Sequence, residues 1–141
     1  MLATKLQTIM PEVGRTMRSL ANHSLRDEVG PTVQQFRILQ LTHLGLSQTQ
    51  MAHFLQVSMA AVSKLVDSLV KSGFLERIQC ADRRCLQLKL TPEGRKIHKK
   101  VTSHIEKAID KQVVKLTKEE VSDLEKGLTV LCKIMGMINE K

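Results

Sequence analysis

Residues 47–91 run SQTQMAHFLQVSMAAVSKLVDSLVKSGFLERIQCADRRCLQLKLT, and the order of start signals, stops and periodicities in this stretch decides the fold. Ser47 precedes an apolar series at Met51, Ala52 and Leu55, and Gln50 stands where it closes a capping box. Leu46 and Met51 are spaced as a hydrophobic staple across the same turn. This first helix is expected to end near Gln56-Val57. Ser58 then caps a second helix, whose inward face is Val62, Leu65, Val66 and Leu69. Gly73 is placed as its left-handed C-cap. Two helices joined by so short a connection must cross steeply, as helix-turn-helix pairs do.

Beyond Gly73 the periodicity changes. Phe74 to Gln79 reads as a strand, and Cys85 to Leu90 alternates polar and apolar residues with period two, so Leu86, Leu88 and Leu90 are expected to face the core. The five residues Cys80-Ala81-Asp82-Arg83-Arg84 between them suit a hairpin loop, although the usual glycine is absent. The expected fold class is therefore mainly α with a small β-hairpin wing, a winged helix-turn-helix. The second helix offers Ser58, Met59, Ala60, Ala61, Ser63 and Lys64 on its N-terminal and outer side. Small and polar groups there leave room for approach to base edges in a major groove. Adjacent arginines at a hairpin tip can reach phosphates or a narrow minor groove, where negative potential is greatest. Asp82 is close enough in sequence to hold a guanidinium in place. The expected partner is double-stranded DNA.

In this ordered set the chain resembles the MarR family, the multiple-antibiotic-resistance type of winged-helix transcription regulator. The matching residues are Pro31-Thr32-Val33-Gln34-Gln35-Phe36-Arg37-Ile38-Leu39, Ser63-Lys64-Leu65-Val66-Asp67-Ser68-Leu69, Gly73-Phe74-Leu75-Glu76-Arg77, Asp82-Arg83-Arg84 and Leu90-Thr91-Pro92-Glu93-Gly94. The resemblance implies that Asp82 and Arg84 form an Asp-x-Arg wing motif whose arginine enters the minor groove. It also implies that the terminal helices form a dimer interface, and that a ligand cavity lies between those helices and the winged core. Gln56 departs from the pattern, since helix-turn-helix turns usually carry glycine there.

The flanking segments agree. Leu2, Leu6, Ile9, Val13, Met17 and Leu20 form one apolar stripe, in which Pro11 is expected to cause a kink or a break. Thr91-Pro92 opens a further helix with proline at its first position. Its stripe is Ile97, Val101, Ile105, Ala108 or Ile109, Val113 and Leu116. Thr117-Lys118-Glu119-Glu120 is a capping box for a last helix with a seam at Val121, Leu124, Leu128, Leu131, Met135 and Ile138. These stripes exceed what the core of one small domain covers, so a second copy of the chain is the expected cover. The organisation read from the sequence is a single domain over 1–141. A DNA-binding lobe occupies 31–91, and 1–30 with 92–141 form a helical dimerisation region. A symmetric dimer sets two recognition helices about one helical turn apart on a pseudo-palindromic operator. The function expected is that of a transcription regulator, a homodimeric repressor released by a small-molecule effector or another signal. Base reading is assigned to Ser58, Ala60, Ser63 and Lys64, with Met59 beside them in the DNA-binding set, minor-groove insertion to Arg84 beside Arg83, wing orientation to Asp82, and phosphate contacts to Lys71 or Arg77.

Bulk properties fit. The chain has 141 residues and a formal charge of +8, about the size of one domain. Residues 31–91 carry seven basic and three acidic side chains, a net +4, and are the most one-sided segment. No apolar run reaches membrane-spanning length, and a cytoplasmic location without membrane association is expected. There is no phosphate loop, nucleophile motif or recognisable acid–base constellation, so neither enzymatic activity nor a cofactor is expected. Cys80 and Cys85 flank the wing turn, where cross-strand neighbours can come close enough to bridge, and are the candidate redox pair. His23, His43, His53, His98 and His104 show no metal-ligand spacing. The methionines Met10, Met17, Met51, Met59, Met135 and Met137 read as core filling or as the lining of an adaptable ligand cavity. The alternatives are a redox- or metal-responsive regulator, or a winged-helix protein-interaction module without specific DNA binding.

Overall fold

A computed structural model describes residues 1–26, 30–82 and 86–139. The elements follow the order α1 Leu2–Leu25, α2 Val33–His43, α3 Gln48–Leu55, α4 Met59–Lys71, β1 Leu75–Gln79, β2 Leu86–Leu90, α5 Pro92–Val113 and α6 Lys118–Asn139. The strands form an antiparallel hairpin with Leu75 opposite Leu90 and Gln79 opposite Leu86. This is the expected fold class. The chain divides into two compact units, Met1–Ile105 and Glu106–Lys141, with the boundary inside α5.

In the first unit one turn design recurs three times. After α2, Gly45 is left-handed, its N–H bonds Thr42 O and the Leu46 N–H bonds Leu41 O. After α4, Gly73 repeats this with Val70 O, and Phe74 with Leu69 O. Both are Schellman motifs, which satisfy the last carbonyls of a helix and turn the chain sharply. After α3 the same pair of bonds is made by Gln56 to His53 O and Val57 to Ala52 O, yet Gln56 is not glycine and still lies at φ 54°. The turn geometry of the helix-turn-helix is kept, with a side chain in a backbone region that L residues occupy at a cost of about 1–2 kcal/mol.

Starts are equally explicit. Ser47 and Gln50 exchange both capping-box bonds at 3.2 and 2.8 Å, and Ser58 Oγ accepts from the Ala61 N–H at 3.1 Å. Thr32 and Gln35 form a further box at the head of α2. The core they enclose centres on Ile38, Leu39, Met51, Val62, Val66, Leu69, Leu75 and Val101, all fully buried. Of the expected inward face of α4, Val62, Val66 and Leu69 are buried and Leu65 packs half-buried against them.

The wing is anchored at its base. Thr91 Oγ1 donates to Gly73 O and accepts from the Gly94 N–H, while Arg95 donates to Leu90 O at 2.8 Å. A Cβ on Gly94 would stand 2.1 Å from Phe74 O, so only glycine lets α5 approach this closely. The hairpin leaves the core as it extends. Leu90 is buried and Leu88 half-buried, but Leu86 is 62% exposed, which corrects the expectation that all three face the core. Pro11, expected to cause a kink or a break, sits inside α1 and marks no break. The helix continues on both sides of the one backbone donor that proline lacks.

The second unit contains the end of α5, a turn, and α6. Thr117 and Glu120 make both bonds of the expected capping box, at 2.8 and 3.1 Å. Among the described residues of this unit none is buried. The seam residues Leu124 and Leu128 are 53% and 52% exposed.

Candidate nucleic-acid interface

Helix α4 lies with Val62, Val66 and Leu69 in the core, so its opposite face is fixed outward. Ala60, Lys64, Asp67 and Lys71, at spacings of four, three and four, are all exposed and form one stripe along the helix. Contacts from behind hold this face in place. Gln35 Nε2 donates to Ser68 Oγ at 2.8 Å, and Ser63 Oγ donates to Gln48 Oε1 at 3.3 Å. Ser63, expected among the base-reading residues, is thus half-buried and tied to the head of α3. Ser58 is exposed and serves as the cap, whereas Met59, Ala60, Lys64 and Lys71 are exposed as expected.

Arg77 on β1, expected as a phosphate contact, forms an ion pair with Asp67 of α4. The pair neutralises the single carboxylate of the outward stripe and ties the wing to the helix beside it. Guanidinium has five donors, so one carboxylate contact leaves others available. Asp82 is exposed at the end of the described hairpin. Arg83, Arg84 and Cys85 lie outside the described residues. Cys80 is half-buried and disulfide-bonded, and Cys132 is an exposed free thiol.

The first unit also contains a cleft of about 340 Å³ whose lining includes Met17 and Arg18 from α1, Arg37 and Gln40 from α2, Phe54 from α3 and Ile105 from α5. Its walls are mostly apolar, with two guanidinium groups among the lining side chains. Phe54 is 62% exposed, a large aromatic left open to solvent beside the cleft. Met17 lines it, but Met51 is core and Met59, Met135 and Met137 are exposed, so most of the methionines do not converge on one cavity.

Two histidine pairs, invisible as a spacing pattern, meet in the same unit. His43 and His98 have ring centroids 4.3 Å apart, with Phe36 at 5.9 Å on His98, and His23 lies 5.7 Å from His104. His98 Nε2 is buried and has no hydrogen-bond partner among the described residues. Burial lowers its pKa, and the neighbouring His43 lowers it further. Among the described residues no cluster of three or more histidine, cysteine or carboxylate side chains is placed to hold a metal ion.

A recognition helix held outward, a wing tied to it, and a cationic stripe define a winged helix-turn-helix of the DNA-binding class. Residues 32–86, the winged-helix segment, match the model of the MarR family. No curated protein sequence matches the chain. Among solved structures, it is similar to wild-type apo MarR from E. coli at 25% identity, covering 89% of this chain and 96% of that one with a TM-score of 0.70. It is also similar to Streptococcus pneumoniae FabT, solved in complex with DNA, at 20% identity over 96% and 99% of the two chains with a TM-score of 0.75. S. aureus MepR, solved bound to ethidium bromide, is similar at 23% identity over 92% and 95% with a TM-score of 0.65. Among the described residues no helix is long and apolar enough to cross a membrane.

Proposed function

We propose that the protein is a homodimeric, sequence-specific repressor that occupies a pseudo-palindromic operator and leaves it when a small molecule enters the cleft beneath α1 and α2. The observation that carries this reading is the outward stripe of α4, cationic at Lys64 and Lys71 with its one acid matched by Arg77. Such a face suits a polyanion with readable edges. The fold shared with FabT, which was solved with DNA, supports the same reading. Exposed seams on α1 and α6 favour a second copy as their cover. The cleft favours an apolar ligand with a carboxylate or similar anionic group, since Arg18 and Arg37 both line it.

The test is a titration of the protein against duplexes from its own upstream region and against unrelated DNA at several salt concentrations. Saturable, selective binding by two protomers per site supports the proposal. Arg84→Ala should then weaken binding by about 1–3 kcal/mol, and Lys71→Ala should mainly flatten the salt dependence. Weak binding of equal strength to every duplex would overturn it. One observation favours a redox-responsive form of this reading, namely the disulfide at Cys80, at the wing end of β1. Reduction adds two electrons and two protons to give two thiols, and operator affinity should change on treatment with a dithiol. The same treatment of Cys80→Ser should have no effect.

A further inference from the structure

The head of the recognition helix is apolar where a base-reading surface is usually polar. Met59 is 46% exposed and Ala60 is exposed beside it, with exposed Val57 in the turn just before them. The polar side chains of the same turns are already engaged. Ser58 Oγ caps the Ala61 N–H, Ser63 Oγ donates to Gln48, and Asp67 is paired with Arg77. Lys64 is left as the exposed cation one turn further on, on the same face as Ala60. In the major groove the apolar feature offered by a base pair is the 5-methyl group of thymine, and the feature that best suits a lysine is the O6 and N7 edge of guanine.

Resting on the DNA-binding reading above, we infer that Met59 and Ala60 read the 5-methyl groups of thymine, and that Lys64 reads a guanine nearby on the same half-site. Four residues of helix rise about 6 Å and successive bases of one strand are about 3.4 Å apart. The thymine and the guanine therefore fall about two base-pair steps apart. Lys64 and Lys71, exposed further along the same face, bring a polyanion to the apolar head, which selects DNA over an apolar protein partner as the occupant. Methionine suits the task, because its unbranched thioether adapts to a methyl group without a fixed hydrogen-bond geometry.

The experiment begins with selection of binding sites from randomised duplexes by the intact protein. Each thymine of the selected half-site is then replaced in turn by deoxyuridine, which removes only the 5-methyl group. The expected result is a loss of about fourfold in affinity at one or two thymines, the worth of one methyl group removed from an apolar contact. In Met59→Ala, an exposed first-turn change that suits a helix, the uracil penalty at one of them should shrink below twofold while other positions keep theirs. Lys64→Gln should relax the preference for guanine and leave the uracil penalty intact. Equal affinity for thymine and uracil at every position would overturn the inference while leaving the DNA-binding reading in place. Failure to enrich any sequence would overturn that reading and this inference with it. Uracil sensitivity unchanged in Met59→Ala and in Ala60→Gly would assign the methyl contact elsewhere and overturn it too.

Discussion

The first unit and α6 are built from comparable apolar content but end in opposite states. In Met1–Ile105 the inward residues of α2, α3, α4 and β1 close on one another, and Ile38, Leu39, Met51, Val62, Val66 and Leu69 are fully buried. In α6 an equally regular seam leaves Leu124, Leu128, Met135 and Ile138 exposed. The same helical periodicity thus does two different jobs. Where a lobe supplies its own cover, the stripe encodes a core. Where it does not, the stripe stays exposed, and the proposed homodimer would cover it.

That contrast can be broken most severely in the core. Leu69→Ala should cost about 2–5 kcal/mol, read by urea unfolding, with a midpoint that falls at every protein concentration. Leu128→Asp should instead leave the helical content of each chain largely intact and shift sedimentation from dimer to monomer. A Leu128→Asp protein that remains dimeric would show that the seam of α6 has another use. Gly94→Ala should cost about 1–3 kcal/mol, because its new Cβ must displace Phe74 O at the base of the wing.

A smaller effect of opposite sign is expected at Gln56. Replacing it by glycine should stabilise the protein by about 1 kcal/mol, because the left-handed conformation no longer opposes a side chain. The pH dependence should locate in the same lobe. His98 has its pKa lowered in the fold by burial and by His43, so below about 6.5 the unfolded chain binds a proton that the folded chain resists. Stability should therefore fall as pH falls from near 6.5 towards the lowered value, and level off below it. His98→Leu should flatten that slope. A slope unchanged in His98→Leu would assign it to other groups.

Much of the lobe was legible because its signals are local. Ser47 with Gln50, Ser58, Gly73 and Thr117 with Glu120 act within one turn of chain, and the structure uses each as expected. What the sequence did not disclose depends on distance through space. Period two puts Leu86 on the same side as Leu90, but only the projection of the hairpin sets how far that side stays over the core. Arg77 and Asp67 are ten residues apart and meet only because β1 folds back beside α4. Likewise, His43 at the end of α2 and His98 in α5 are far apart in the chain and meet only in the folded lobe. The exposed Met59 and the bonded Ser63 differ in the same way, since helical spacing alone does not say which polar group has found a partner.

The most direct measurement is the mass of the protein–DNA complex, obtained by sedimentation of the protein with a labelled duplex carrying one selected site, at moderate salt. A homodimeric repressor gives a single complex of one duplex and two chains, lost together with dimerisation in Leu128→Asp. A complex of one chain per site, or a mass that keeps rising with added protein on any duplex, would contradict it.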